Sequence, residues 1–201
     1  MILWLSGAAA FVVLFAPFMA VRHVLPALPA VLLLLAHNLE GSIPRRTALA
    51  ALVTSAAGGL LLAFSDYQYA NAYKTYAPIV KSAAPSDARV FFTGHWGWQW
   101  YARKEGMEQY DEDRTVLRDG DYVVTTELLH QADVVLPRGL ALVKVQEWQV
   151  PSTLLTLFRT MAVTPWGGYY KHRFSDRSPP WRLSKAPLET FVLQKASNPG
   201  N

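Results

Sequence analysis

The hydrophobic and polar positions along the chain fall into two regimes that meet near residue 65. Residues 1 to 21, MILWLSGAAAFVVLFAPFMAV, hold no charge. About 20 apolar residues in a helix cross a hydrocarbon core of ~30 Å, so this run predicts a first membrane span. A cleaved signal peptide fits less well, because the run lacks a basic leading region and Phe18 stands where a small residue would precede the cut. A second uncharged segment covers 24 to 39, with Pro26 and Pro29 in its opening turns, where a missing N–H is best tolerated. A third, Thr47 to Ser65, is uncharged throughout and predicts a third span over 47–65.

Beyond residue 65 the pattern becomes that of a water-exposed domain. Tyr69, Tyr73, Tyr76 and Val80 recur at helical spacing, so the third span should continue into an amphipathic helix that Pro85-Ser86-Asp87 ends. ARVFFTG reads as a buried strand, Gly94 as a tight turn, and the following residues as a helix on which Trp96 pairs with Trp100 and Gly97 with Tyr101 four positions on. Further strands are expected at 121–126, 140–146 and 189–194, with a frayed tail after them. The expected fold is a membrane protein with three transmembrane α-helices over 1–65 followed by a small extracytoplasmic α/β domain over 66–201.

Charge sharpens this division. Only four of the 19 basic and 15 acidic residues, Arg22, Glu40, Arg45 and Arg46, precede residue 66. Arg45 and Arg46 lie between the second and third spans, against Arg22 alone between the first and second, which favours a cytoplasmic N-terminus and an extracytoplasmic 66–201. The net charge of +4 is spread between interspersed signs, not gathered on a face, so no nucleic acid partner is expected. The chain has no cysteine, which excludes disulfides, thiolate metal sites and a thiol nucleophile.

Candidate chemistry is sparse. The two glycines of Gly94-His95-Trp96-Gly97 flank a bulky pair where a dinucleotide loop needs small residues. The five histidines are dispersed, and Asp111-Glu112-Asp113 lacks the glycine a calcium loop requires, with Val116 in its place, so no metal or other cofactor is assigned. No complete catalytic constellation is present, and no catalytic residue is assigned. Two groups stand out. Arg22, at the mouth of the second span, has a guanidinium that matches phosphate oxygens, or else it simply snorkels to the interface. The aromatic set around His95, Trp96, Trp98, Trp100 and Tyr101, with Trp166, Tyr169, Tyr170 and Trp181 later, suits sugar rings, and equally a headgroup belt or a core.

In order along the chain, RHVLPALPAVLLLLA, YQYANAYKTYA, RVFFTGHWGWQWYARKEGM, GDYVVTT and GGYYKHRFSDRSPPWRLSKAPLETFVL resemble the C-terminal part of bacterial glycosyltransferase family 39 and related GT-C-type membrane enzymes. The resemblance covers about residues 22 to 194. It implies transfer of a sugar from a polyprenyl-phosphate donor at the outer face of a bacterial plasma membrane. Its implied substrate-binding residues are Arg22, His23, His95, Trp96, Trp98, Tyr169 and Tyr170. Membrane lipids, a polyprenyl-phosphate-linked sugar and a separately encoded N-terminal glycosyltransferase part are the implied partners. The sequence departs from the family in two respects. The loop that carries the family's catalytic acid has no counterpart, and His23 replaces the usual tyrosine. The chain is therefore expected to be the C-terminal portion of a split or truncated enzyme, inactive alone. The alternative is a non-catalytic membrane-anchored module that binds an envelope glycan or a partner protein.

Overall fold

A computed structural model describes residues 2–14, 27–38, 41, 43–127, 134–160 and 182–198. The chain divides into two compact units, Met1–Ala56 and Ala57–Asn201. The first holds helix α1 (Ile2–Leu14), helix α2 (Leu28–Asn38) and the opening turns of helix α3 (Arg45–Ser82), which runs on into the second unit.

The three-span expectation is overturned. Among the described residues one helix, α3, is long and apolar enough to cross a membrane. Helix α1 has 13 residues and α2 has 11, and at 1.5 Å per residue they reach only about 20 and 16 Å, short of a ~30 Å core. Pro29 sits in the first turn of α2 and Asn38 ends it, with the Asn38 amide donating back to the Leu34 carbonyl at 2.8 Å.

The domain that follows is built around a five-stranded mixed sheet rather than a few strands interleaved with helices. Its strands are β1 (Val90–Phe92), β2 (Glu108–Gln109), β3 (Tyr122–Thr126), β4 (Ala141–Val150) and β7 (Glu189–Ser197), in the order β2-β1-β3-β7-β4. β1 is parallel to both β2 and β3, while β7 runs antiparallel to β3 and β4. Helix α4 (Trp96–Lys104) connects β1 to β2. A separate two-stranded pair joins β5 (Phe158–Arg159) to β6 (Arg182–Leu183).

Helical periodicity places the larger core on one sheet face. Ala72, Tyr73, Ala77 and Val80 of α3 are buried against Val90, Phe92, Val124, Phe191 and Leu193 of the sheet and against Trp98 and Ala102 of α4. Tyr69 and Tyr76 pack on the same cluster, so the expected amphipathic extension of the third apolar segment is the core helix of the domain. On the opposite face a smaller cluster gathers Phe91, Tyr110, Leu117 and Val123. Alternation along β1 and β3 explains the two faces, since Phe92 and Val124 point one way and Phe91 and Val123 the other. Asp121 fastens the entry to β3, accepting hydrogen bonds from Arg89 Nε at 2.9 Å and from the Arg118 backbone N–H at 2.7 Å.

Candidate functional site

The strand order creates a switch point between β1 and β3. The chain leaves β1 through α4 towards β2 on one side, while β3 lies on the other side of β1, and the next described strand, β4, lies beyond it. Such reversals open a crevice outside the carboxyl ends of the two parallel strands, where α/β folds place ligands. The residues at this edge are Thr93, which follows β1, and Thr126, which closes β3; the Thr93 N–H donates to the Val124 carbonyl at 3.0 Å. Both threonine hydroxyl oxygens are buried with no hydrogen-bond partner among the described residues. Buried polar atoms are usually paired, so two at one strand edge single it out.

The turn from β1 into α4 is conformationally unusual. Gly94 has φ 100° and Trp96 φ 59°, and Trp96 is the one non-glycine residue of positive φ among those described. For an L residue that region costs about 1–2 kcal/mol, and such strain persists where the surroundings enforce it. Here it launches α4 so that its faces separate cleanly. Trp98 is fully buried, packed edge-on or tilted against Tyr73, Phe92 and Phe191 with centroids 5.0 to 6.2 Å away, while Trp96 and Trp100 are 51% and 70% exposed. Four residues apart on a helix, these two indoles share one face. Gly97 faces the Tyr73 ring, where an added Cβ would meet it at 3.4 Å, in ordinary contact.

Beside the indoles lies a polar cluster centred on Gln109 of β2. Its Oε1 accepts from Gln99 Nε2 at 2.8 Å and from an Arg103 guanidinium nitrogen at 2.7 Å. These two donors fix the amide, so Gln109 Nε2 points to His95 Nδ1 at 3.2 Å. An amide nitrogen can only donate, hence Nδ1 accepts and a neutral His95 ring carries its proton on Nε2. The edge therefore presents two indole faces with an imidazole, two amides and a guanidinium.

Underneath, Glu189 at the start of β7 is fully buried. It accepts from the Tyr73 hydroxyl at 2.9 Å and, at 3.5 Å, from that of Tyr69; the two hydroxyls also bond to each other. Burial, reinforced by the neighbouring Glu189 carboxyl, pushes both phenols above their ordinary range.

Of the residues singled out in the sequence, His95 and Trp96 come together at this edge, and Trp98 belongs to the core beneath it. Its indole cannot stack on a ligand from a fully buried position. Arg22, His23, Tyr169 and Tyr170 lie outside the described residues, as do Trp166 and Trp181. Gln99, Arg103, Gln109, Thr93, Thr126 and Glu189 were not signalled by sequence, because glutamines, threonines and a single strand-initial acid carry no motif. Among the described residues no group of three or more metal-ligating acidic, histidine or cysteine side chains gathers. No protein-family model, no curated protein and no solved structure matches the chain.

Proposed function

We propose that the chain is a membrane-anchored glycan-recognition part of a glycosyl-transferring membrane enzyme, binding the sugar of a polyprenyl-phosphate-linked donor or its acceptor at the edge of α4. The observation that carries this reading is the pairing of exposed Trp96 and Trp100 with the His95–Gln109–Arg103 cluster. Sugar rings offer apolar C–H faces and a rim of hydroxyls, and exposed indoles beside fixed donors and acceptors complement both.

Helix α3 supports the membrane part of the proposal. Within the unit 57–201 its uncharged turns up to Ser65 pass directly into the face that carries Ala72, Tyr73 and Val80. Arg45 and Arg46 open that helix, and basic residues at a span's end favour the cytoplasmic side, which supports an extracytoplasmic sheet domain. The family resemblance supplies the polyprenyl-phosphate class and assigns Arg22 to the phosphate. In this reading the chain supplies recognition, and the acid that would take the acceptor proton belongs to a partner polypeptide.

The test is binding to the full chain in lipid nanodiscs, comparing a short polyprenyl-phosphate hexose with the same polyprenyl phosphate lacking sugar. Preference for the sugar-bearing lipid, without turnover, is expected. Equal binding of the two, or none, would overturn recognition of the glycan.

A further inference from the structure

A second feature of the domain lies apart from the α4 edge. A cavity of about 570 Å³, open to solvent, runs beside α3 from Phe64 to Thr75, with Pro151, Leu155 and Leu188 on its far wall. None of its lining residues is charged, although the chain past residue 65 is otherwise densely charged. Its stretch of helix begins where the uncharged segment of α3 ends, since Asp66 is the first charged residue after Arg46. At 1.5 Å per residue the wall extends about 16 Å from that boundary.

The far wall is held level with the boundary. Thr160 donates to Asp66 Oδ1 at 2.6 Å, tying the end of β5 to the first charged turn of α3. Between β4 and β5 a single 3-10 turn, Leu154–Thr156, is locked by the Thr153 N–H donating to Thr156 Oγ1 at 2.8 Å, with Thr156 buried. This leaves Leu154 87% and Leu155 54% exposed, and Leu183 on neighbouring β6 76% exposed. Arg159 braces the base: its buried guanidinium donates to the carbonyls of Ser184, Ala186 and Pro187. A fixed turn that holds adjacent leucines in the open is a contact surface and not an accident of a floppy loop.

We infer that the Leu154–Leu155 turn is a membrane-docking element that seats in the headgroup–acyl boundary beside α3, the uncharged groove behind it opening onto that boundary at its Phe64 end. The occupant is lipid because the surface is continuous with the apolar part of α3 and sits at the height of its first charge; a patch for a soluble protein partner has no reason to begin there. Amphipathic elements bury their apolar side about 5–10 Å into that boundary. Docking adds a second attachment to that of the helix and would hold the α4 edge at a set height above the membrane. The inference rests on α3 being embedded, as proposed above.

The chain has no cysteine, so single-cysteine labelling is unambiguous. An environment-sensitive fluorophore is placed at Leu154→Cys, Leu155→Cys, Leu60→Cys within the apolar part of α3, and Ser86→Cys. Ser86 follows the opposite end of that helix, whose last residue, Ser82, is about 27 Å along its axis from Phe64. The proteins are reconstituted in phosphatidylcholine–phosphatidylglycerol vesicles containing lipids with a nitroxide on the acyl chain. Quenching at 154 and 155 is expected to be severalfold greater than at 86 and to approach that at 60. Quenching at 60 with 154 and 155 no different from 86 would overturn docking while leaving the anchor intact. Absence of quenching at 60 would overturn the membrane reading itself, and docking with it. A blue shift at 154 and 155 that grows with protein-to-lipid ratio but escapes the nitroxide would show a second copy on the surface, and would equally overturn the inference.

Discussion

The Tyr73 hydroxyl donates to Glu189 Oε2 at 2.9 Å across 116 residues of sequence, inside a core where both side chains are buried. This bond joins the helix that carries the apolar segment to the first residue of strand β7, and the Tyr73 ring lies 6.1 Å from the Trp98 indole that seats α4. Tyr73→Phe removes the donor and leaves a buried acceptor short of a partner, at a cost of about 1–3 kcal/mol. Thermal unfolding in detergent should show a clearly lowered midpoint, with Tyr76→Phe, whose ring stacks on Phe191, as a milder control. An unchanged midpoint in Tyr73→Phe would mean that the bond contributes nothing net.

The same pair predicts an alkaline limit to stability. Tyr69 and Tyr73 are raised from an ordinary value of 10.0, first by burial and then by Glu189. Both phenols are protonated in folded and unfolded chains below pH 10, so their contribution is fully present there. Above pH 10 the unfolded chain releases these protons while the folded one retains them, and stability falls by up to about 1.4 kcal/mol per pH unit for each phenol. Denaturant unfolding at a series of pH values should be flat in this respect from pH 7 to 9 and steepen beyond 10. The double variant Tyr69→Phe, Tyr73→Phe should be less stable at pH 7 but lose less on going above pH 10; an unaltered alkaline slope would contradict the assignment.

Asp121 gives a third expectation. Its side chain is 7% exposed and takes both the Arg89 guanidinium and the Arg118 N–H at the start of β3, next to β1. Asp121→Ala should cost about 1–3 kcal/mol, since the Arg118 N–H loses its acceptor while the partly exposed Arg89 can be solvated, and Asp121→Asn, which keeps an acceptor, distinctly less. Equal losses measured by chemical denaturation would show that shape, and not hydrogen bonding, holds this corner.

Much of the domain was legible in sequence because its signals are local. Tyr69, Tyr73, Tyr76 and Val80 mark one face of a helix at 3.6 periodicity, and that face is the core face of α3. The strands at Val90–Phe92, Tyr122–Thr126, Ala141–Val150 and Glu189–Ser197 all answer to expected runs, although β4 and β7 extend further than alternation alone indicated. The membrane count failed because an uncharged run was equated with a span: among the described residues α1 and α2 have 13 and 11 residues, and α3 is the one helix long and apolar enough to cross. The candidate site was half legible. His95 and Trp96 stand out by type, but their partner Gln109 arrives through the β1–β2 pairing of Phe92 with Gln109, a long-range register that no residue pattern encodes. Trp98 was read as ligand-facing because indoles two apart look alike in sequence, whereas on a helix they lie on different faces.

Glycan recognition at the α4 edge is tested most directly by the affinity of the full chain in nanodiscs for a short polyprenyl-phosphate hexose, compared among wild type, Trp100→Ala, Gln109→Ala and Val143→Ala. Trp100 is largely exposed and Gln109 is partly exposed on the short strand β2, so neither change should unfold the domain, and circular dichroism checks this. Loss of a stacking face or of the amide that orients His95 should each weaken binding about tenfold, near 1.4 kcal/mol, with Val143→Ala, exposed on β4 at the opposite edge of the sheet, unchanged. Affinities in Trp100→Ala and Gln109→Ala equal to that of the wild type would contradict the assignment of this edge as the glycan site.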